Sequence, residues 1–227
     1  MNCRTRAPFG KTLLQLAAAL PVWGGLCWPA IATAQDTQCG NPFRNHFGPY
    51  DYRSASADTK ALVENVHFTP GVEAMTKPST TTYARMAGDV AYTLHVFPNH
   101  HRALLTMQRL GEKFKTAQPD GAAFPVECYF ERAVLFRPDD TVARALYAQY
   151  LLKHGRKEHA LKQLAYAVEQ AKDRPLSHYN LGLVYLEMGE YELALTQAHA
   201  AKSLGLDNRP QLEEALRKAG KWRDTPP

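Results

Sequence analysis

Fifteen residues decide how this chain is read: Asn180-Leu181-Gly182-Leu183-Val184-Tyr185-Leu186-Glu187-Met188-Gly189-Glu190-Tyr191-Glu192-Leu193-Ala194. Moved 34 positions toward the N-terminus, this stretch meets its own pattern. Tyr147-Ala148 falls on Leu181-Gly182, Leu151 on Tyr185, Gly155 on Gly189 and Ala160 on Ala194. The agreement runs on through Ala167 on Ala201 to Lys172-Asp173 on Leu206-Asp207. A period of 34 is that of a helix-turn-helix repeat. The small residues explain themselves. Ala148 and Gly182 let the first helix of each unit approach the second, and Ala160, Ala167, Ala194 and Ala201 let the second pack closely, with larger side chains filling the space between.

These residues resemble the tetratricopeptide repeat family. The resemblance implies an all-α fold: a right-handed α-solenoid of helix-turn-helix units, with an irregular N-terminal strap and a C-terminal capping helix. Two repeats are well formed, 141–174 and 175–208. A third, 101–140, shows its second helix in Val126-Glu127-Cys128-Tyr129-Phe130-Glu131-Arg132-Ala133 and ends in Pro138-Asp139-Asp140. Pro98 and Pro138 lie 40 apart, six more than the repeat, and the surplus falls in a turn over Lys115–Pro125, where Gln118-Pro119-Asp120-Gly121 is a turn signal. Residues 59–100 read as a degenerate hairpin, with Pro70 and Gly71 inside its first helix and a second helix near Thr82–Leu94. Residues 209–222 read as the cap and 223–227 as a disordered tail. The strap, 35–58, is rich in Gly, Pro and aromatics, with Phe43, Phe47, Tyr50 and Tyr52 set to pack on the first repeats. CG at 39–40, FGPYDYR at 47–53, HFTP at 67–70 and FPNHHRAL at 97–104 look like a group of exported bacterial tetratricopeptide proteins, and bring no known chemistry with them.

Residues 1–34 read as a secretory signal: Arg4, Arg6 and Lys11, an apolar run near Leu13–Ile31, then Ala32-Thr33-Ala34 before Gln35. The expected location is the periplasm or the exterior after cleavage near Ala34, with no stable membrane insertion afterwards, because Pro21, Gly24 and Gly25 interrupt the run. A lipoprotein reading at Cys27 fails on the size of Leu26. The 227 residues carry 27 basic and 22 acidic side chains. Three of the cations and no anion precede Gln35, so the net charge is weak support for nucleic-acid binding, and none is expected. With 45% apolar and 22% charged residues, collagen, low-complexity disorder and a polytopic membrane protein are excluded. Cys39 and Cys128 remain after cleavage. A bridge between them would clip the strap to the helical body; two separate thiols with Cys128 buried is the alternative, and sequence does not choose between them.

In a solenoid the first helices line the concave side. By the resemblance, the inward positions include Ala145, Leu146, Gln149, Leu152 and Lys153, then Tyr179, Asn180, Leu183, Leu186 and Glu187. Residues 146, 149 and 153, like 180, 183 and 187, share one helical face. Asn180 carries both a donor and acceptors for the backbone of an extended peptide. Arg109 and Lys113 occupy positions equivalent to Gln149 and Lys153, which would bias the early groove toward an acidic peptide or a carboxylate. Leu146 and Glu187 stand where the chaperone-binding members keep clamp residues, so chaperone-tail binding is not expected. His95, His100 and His101 invite a metal, but neighbours 100 and 101 point about 100° apart on a helix and zinc-like spacing is lacking; no metal or cofactor is expected. No G-x-S-x-G, H-E-x-x-H or phosphate loop occurs. Asp51 with Glu64, and Glu127 with Glu131, are carboxylate pairs, the second read as solvated on an outer surface. Cys128 beside Tyr129 and Phe130 suggests packing rather than a nucleophile. The expected function is therefore not enzymatic: an adaptor that holds a protein or peptide in its groove. The alternatives are an enzyme or accessory subunit with a site around Tyr50-Asp51-Tyr52-Arg53 and His67, or a purely structural envelope component whose strap occupies the groove.

Overall fold

A computed structural model of the chain describes residues 38–76 and 83–225, and among these it is all-helical, with no strand. The expected signal segment 1–34 lies outside the described residues. The order is α1 (Ala57–His67), α2 (Pro70–Glu73), α3 (Tyr83–Val96), α4 (His101–Phe114), α5 (Val126–Phe136), α6 (Thr141–Lys153), α7 (Lys157–Ala171), α8 (Pro175–Glu187), α9 (Tyr191–Ser203) and α10 (Gln211–Lys218). No described helix is long and apolar enough to cross a membrane.

Local chemistry sets the ends. Asp140 caps α6 by accepting from the N–H groups of Val142 and Ala143, and the His100 imidazole caps α4 by accepting from Ala103 N–H at 3.1 Å. At the other end, Gly155 and Gly189 adopt φ of +72° and +76°. They sit in the same pair of closing bonds, 34 residues apart: Gly155 to Leu152 and Arg156 to Leu151, then Gly189 to Leu186 and Glu190 to Tyr185. Glycine is preferred there because a Cβ strains a left-handed backbone. The sequence period is thus repeated in backbone conformation.

α6 pairs with α7 and α8 with α9. Ala148, Ala160, Ala167 and Ala194 are fully buried between paired helices. A Cβ on Gly182 would come within 3.2 Å of Gln197 Cβ on α9 and 2.5 Å of Leu212 Cδ2 on α10, so this helix crossing needs the missing methyl. One apolar core runs from Phe68 and Val72 to Leu212 and Leu216. α4 also lies against α6, and α6 against α8.

Two regions differ from the sequence expectation. The first helix of the degenerate hairpin does not contain Pro70 and Gly71: α1 stops at His67, and α2 restarts from Thr69, whose hydroxyl caps it, with Pro70 in the first turn. Proline has no N–H to continue a helix but suits its start. Arg223, expected to open a disordered tail, lies against the body. His199 Nε2 donates to Arg223 O at 2.9 Å, Trp222 stacks on His199, and Arg223 pairs with Glu192. The described strap runs over the turn between α3 and α4. Tyr50 N–H donates to Val96 O at 2.8 Å, the Tyr50 and Tyr52 rings pack on Phe97, and Phe43 rests on Phe136.

Candidate functional site

α4, α6 and α8 place the expected groove residues side by side. Arg109 and Lys113 are exposed on α4, and Lys113 Nζ approaches Met75 O at 3.5 Å. Lys153 on α6 pairs with Glu112 on α4 at 3.0 Å. Gln149 on α6 donates to Glu187 on α8 at 2.9 Å. Asn180 and Leu183 are half-buried on α8. Tyr179 departs from the expectation: it is 6% exposed, with its hydroxyl donating to Gln211 of α10 at 2.8 Å, because the C-terminal helix closes over it. The expected positive bias is also altered. Glu112 neutralises Lys153, so the face carries both signs. Glu112 is held ionised, its carboxyl lowered by the hydrogen bond from Gln108 and then by Lys153. Sequence reasoning misses both Gln108 and Glu112; their four-residue spacing on one helix is the signal that could have found them.

Cys39 and Cys128 are joined in a disulfide, with Cα atoms 5.0 Å apart. Arg132 reinforces the clip by donating to Cys39 O at 3.0 Å. Glu131 Oε2 lies 3.0 Å from Cys39 Sγ, and Cys39, Cys128 and Glu131 have potential ligand atoms within 4.8 Å of one another. With the sulfurs bonded together, neither is the thiolate that a metal takes. The outer carboxylate pair is not simply solvated. Glu127 accepts from Tyr147 Oη at 2.9 Å and pairs with Arg156 at 2.7 Å, while burial and the neighbouring Glu127 raise the Glu131 carboxyl.

The densest polar constellation lies where the strap meets the α3–α4 and α5–α6 turns. Asn99, fully buried, donates through Nδ2 to both Asp51 and Asp140 at 2.8 Å, and accepts from Tyr52 N–H at 3.0 Å. Asp51 also pairs with Arg53 at 2.7 Å and Arg137 at 2.8 Å. Despite the opposing effect of burial, hydrogen bonds from Arg53 and Asn99 hold its carboxyl well below the usual range. Asp140 takes His101 Nε2 at 2.9 Å besides its helix cap. Beside it, His100 offers Nδ1 to Ala103, so its proton sits on Nε2, which donates to Glu64 at 2.9 Å. Burial lowers the His100 imidazole to about 4 despite Glu64.

The three histidines weighed as metal ligands thus go to separate partners, His95 packing on Phe124 and Tyr129. His67 bonds Asp89 at 2.9 Å, while Asp51 answers to Arg53, Arg137 and Asn99. A carboxylate with that many donors is a weak base, and the constellation is chemically a brace. No family model, no curated protein and no solved structure matches the chain.

Proposed function

We propose that this chain is an exported adaptor of the tetratricopeptide type, a right-handed solenoid whose α4–α6–α8 face receives an extended segment of a protein partner. The observation that carries the reading is the shared face itself. Three helices one repeat apart in kind lie in register, linked by Glu112–Lys153 and Gln149–Glu187, with half-buried Asn180 and Leu183 beside them. Side chains that pair with one another across a face can exchange those bonds for a peptide's at little net change in hydrogen bonding. The strap supports the same reading. Its described bonds go to α1, the end of α3, α5 and the interhelix turns, and none of them is to Gln149 or Asn180.

The test is crosslinking and capture from the native envelope with three versions of the chain: wild type, Lys153→Ala with Asn180→Ala, and a control at an exposed position of α7, Lys162→Ala. Loss of specific partners from the double variant alone supports the groove. Equal recovery with all three places binding elsewhere. Export is checked by sequencing the N-terminus of the protein recovered outside the cytoplasm, with Gln35 expected as the first residue.

A further inference from the structure

Where the strap is clipped to α5, three side chains able to hold a metal converge. Cys128 and Glu131 are three apart on α5 and share one face, and the strap brings Cys39 against it, with the cysteine Cα atoms 5.0 Å apart. Glu131 Oε2 stands 3.0 Å from Cys39 Sγ, and the two sulfurs and a Glu131 oxygen all lie within 4.8 Å of one another. Among the described residues no other three His, Cys, Asp or Glu side chains converge in this way.

The disulfide does not account for the carboxylate. A bridged sulfur has neither a proton to donate nor a charge to pair with. The cations nearby are engaged elsewhere: Arg132 donates to Cys39 O at 3.0 Å with its guanidinium over the Phe124 ring, and Arg156 pairs with Glu127. Among the described residues Glu131 receives a long bond from Tyr147 Oη, 3.5 Å, and enters no ion pair.

Reduction changes the balance. A dithiol splits the bridge, is itself oxidised to a disulfide and leaves two thiols; a divalent cation binding there displaces their two protons to solvent. The two thiolates, Glu131 and Glu127 are then four negative charges beside Arg132 and Arg156, and a divalent cation brings the group to neutrality. The donor set selects the ion. Two thiolates with a carboxylate oxygen suit zinc, at about 2.3 Å for sulfur and about 2.0–2.2 Å for oxygen, whereas calcium and magnesium take oxygen ligands. On a tetrahedral ion the sulfurs stand about 3.7 Å apart, a separation that rotation about the two Cα–Cβ bonds provides at the present backbone spacing. Cys39 and Glu131 line a cavity of about 280 Å³ with Gly40, Tyr147 and Gln163, which gives an entry path and room for water as a fourth ligand.

We propose that the reduced chain holds a thiophilic divalent cation, zinc by its ligand preferences, on the Cys39 and Cys128 thiolates and the Glu131 carboxylate, so that the metal takes over from the disulfide as the clip between strap and α5. The site is separate from the α4–α6–α8 groove and does not depend on the adaptor reading.

The probes are Co²⁺ and then Zn²⁺, titrated into the full chain reduced by a phosphine under nitrogen. One equivalent of Co²⁺ is expected to give the thiolate-to-cobalt charge-transfer band and the strong visible bands of a tetrahedral ion, Zn²⁺ to bleach them, and the oxidised chain to give none. Cys39→Ser with Cys128→Ser should remove the band; Cys3→Ser with Cys27→Ser, at the cysteines outside the described residues, should leave it. Glu131→Gln should keep the band and weaken binding about tenfold or more, since even a group that only steadies a ligand is worth about that much. Zinc should raise the melting temperature of the reduced chain and not of the oxidised one. X-ray absorption of the zinc-loaded, unmutated chain is expected to show two sulfur and two lighter neighbours, so the test stands whether or not a variant folds. No band in the reduced chain, a band that depends on Cys3 and Cys27, a zinc shell without two sulfurs, an unchanged melting temperature, or an affinity indifferent to Glu131→Gln overturns the proposal.

Discussion

His100 is a cap and a core residue at once, and both roles require it neutral. Its imidazole titrates near 4, against an ordinary value near 6.5, because burial outweighs the pull of Glu64; His95 is lowered to about 4 by burial and by Arg132. The unfolded chain therefore binds more protons than the folded one between about pH 6.5 and 4. Stability is full above that window and falls on acidification at about 1.4 kcal/mol per pH unit for each such histidine. Asp51, Glu64 and Asp140, all lowered, add their loss only below about pH 4. Urea unfolding at intervals from pH 7.5 to 4.5 should show this slope, and His100→Asn, which keeps an acceptor for Ala103 N–H, should roughly halve it. A slope unchanged by the substitution would assign the effect to other groups. Asn99 invites a sharper test: Asn99→Asp sets a third carboxylate between Asp51 and Asp140 and removes the donor both share. A loss above about 3 kcal/mol at pH 7, shrinking as the carboxylates are protonated, is expected in the same assay.

At the scale of helices, two kinds of glycine do different work. Gly182 lies where α8 crosses α9 and α10, and Gly182→Ala must push Leu212 aside; a cost of about 1–3 kcal/mol is expected, with α10 displaced. A Cβ on Gly155 would meet nothing within 4 Å, so Gly155→Ala costs only the strain of its left-handed backbone, about 1 kcal/mol, without disturbing α10. Thermal unfolding gives the two costs, and hydrogen exchange at Leu212 and Leu216 separates them: faster exchange in Gly155→Ala than in Gly182→Ala would contradict the packing account. The periodic elements were the legible ones. Ala148, Ala160, Ala167 and Ala201 lie buried where the 34-residue shift put small residues, and the surplus of six fell in the α4–α5 turn. The break at Phe68–Thr69 was harder to see, because a proline both ends one helix and opens the next, and the sequence shows only the proline.

Across the whole molecule, the Cys39–Cys128 bond closes an 89-residue separation and ties the strap to α5, while Asp51 and Asn99 fasten it to the turns. Closing so long a loop contributes about 3–5 kcal/mol through the unfolded state. Cys39→Ser with Cys128→Ser should lower the unfolding free energy by that amount and abolish the sensitivity of the wild type to reductant; an unchanged midpoint would show that the polar brace alone holds the strap. The sequence alone was enough to determine the all-helical character and the paired C-terminal helices, because a 34-residue period and small residues at fixed steps are local properties carried by every unit. Only the tertiary structure decided the bond between the two cysteines, the burial of Tyr179 beneath α10, and the approach of Glu131 to the Cys39 sulfur. Those depend on distances between segments far apart in the chain, and no spacing along one segment encodes what another will bring to it.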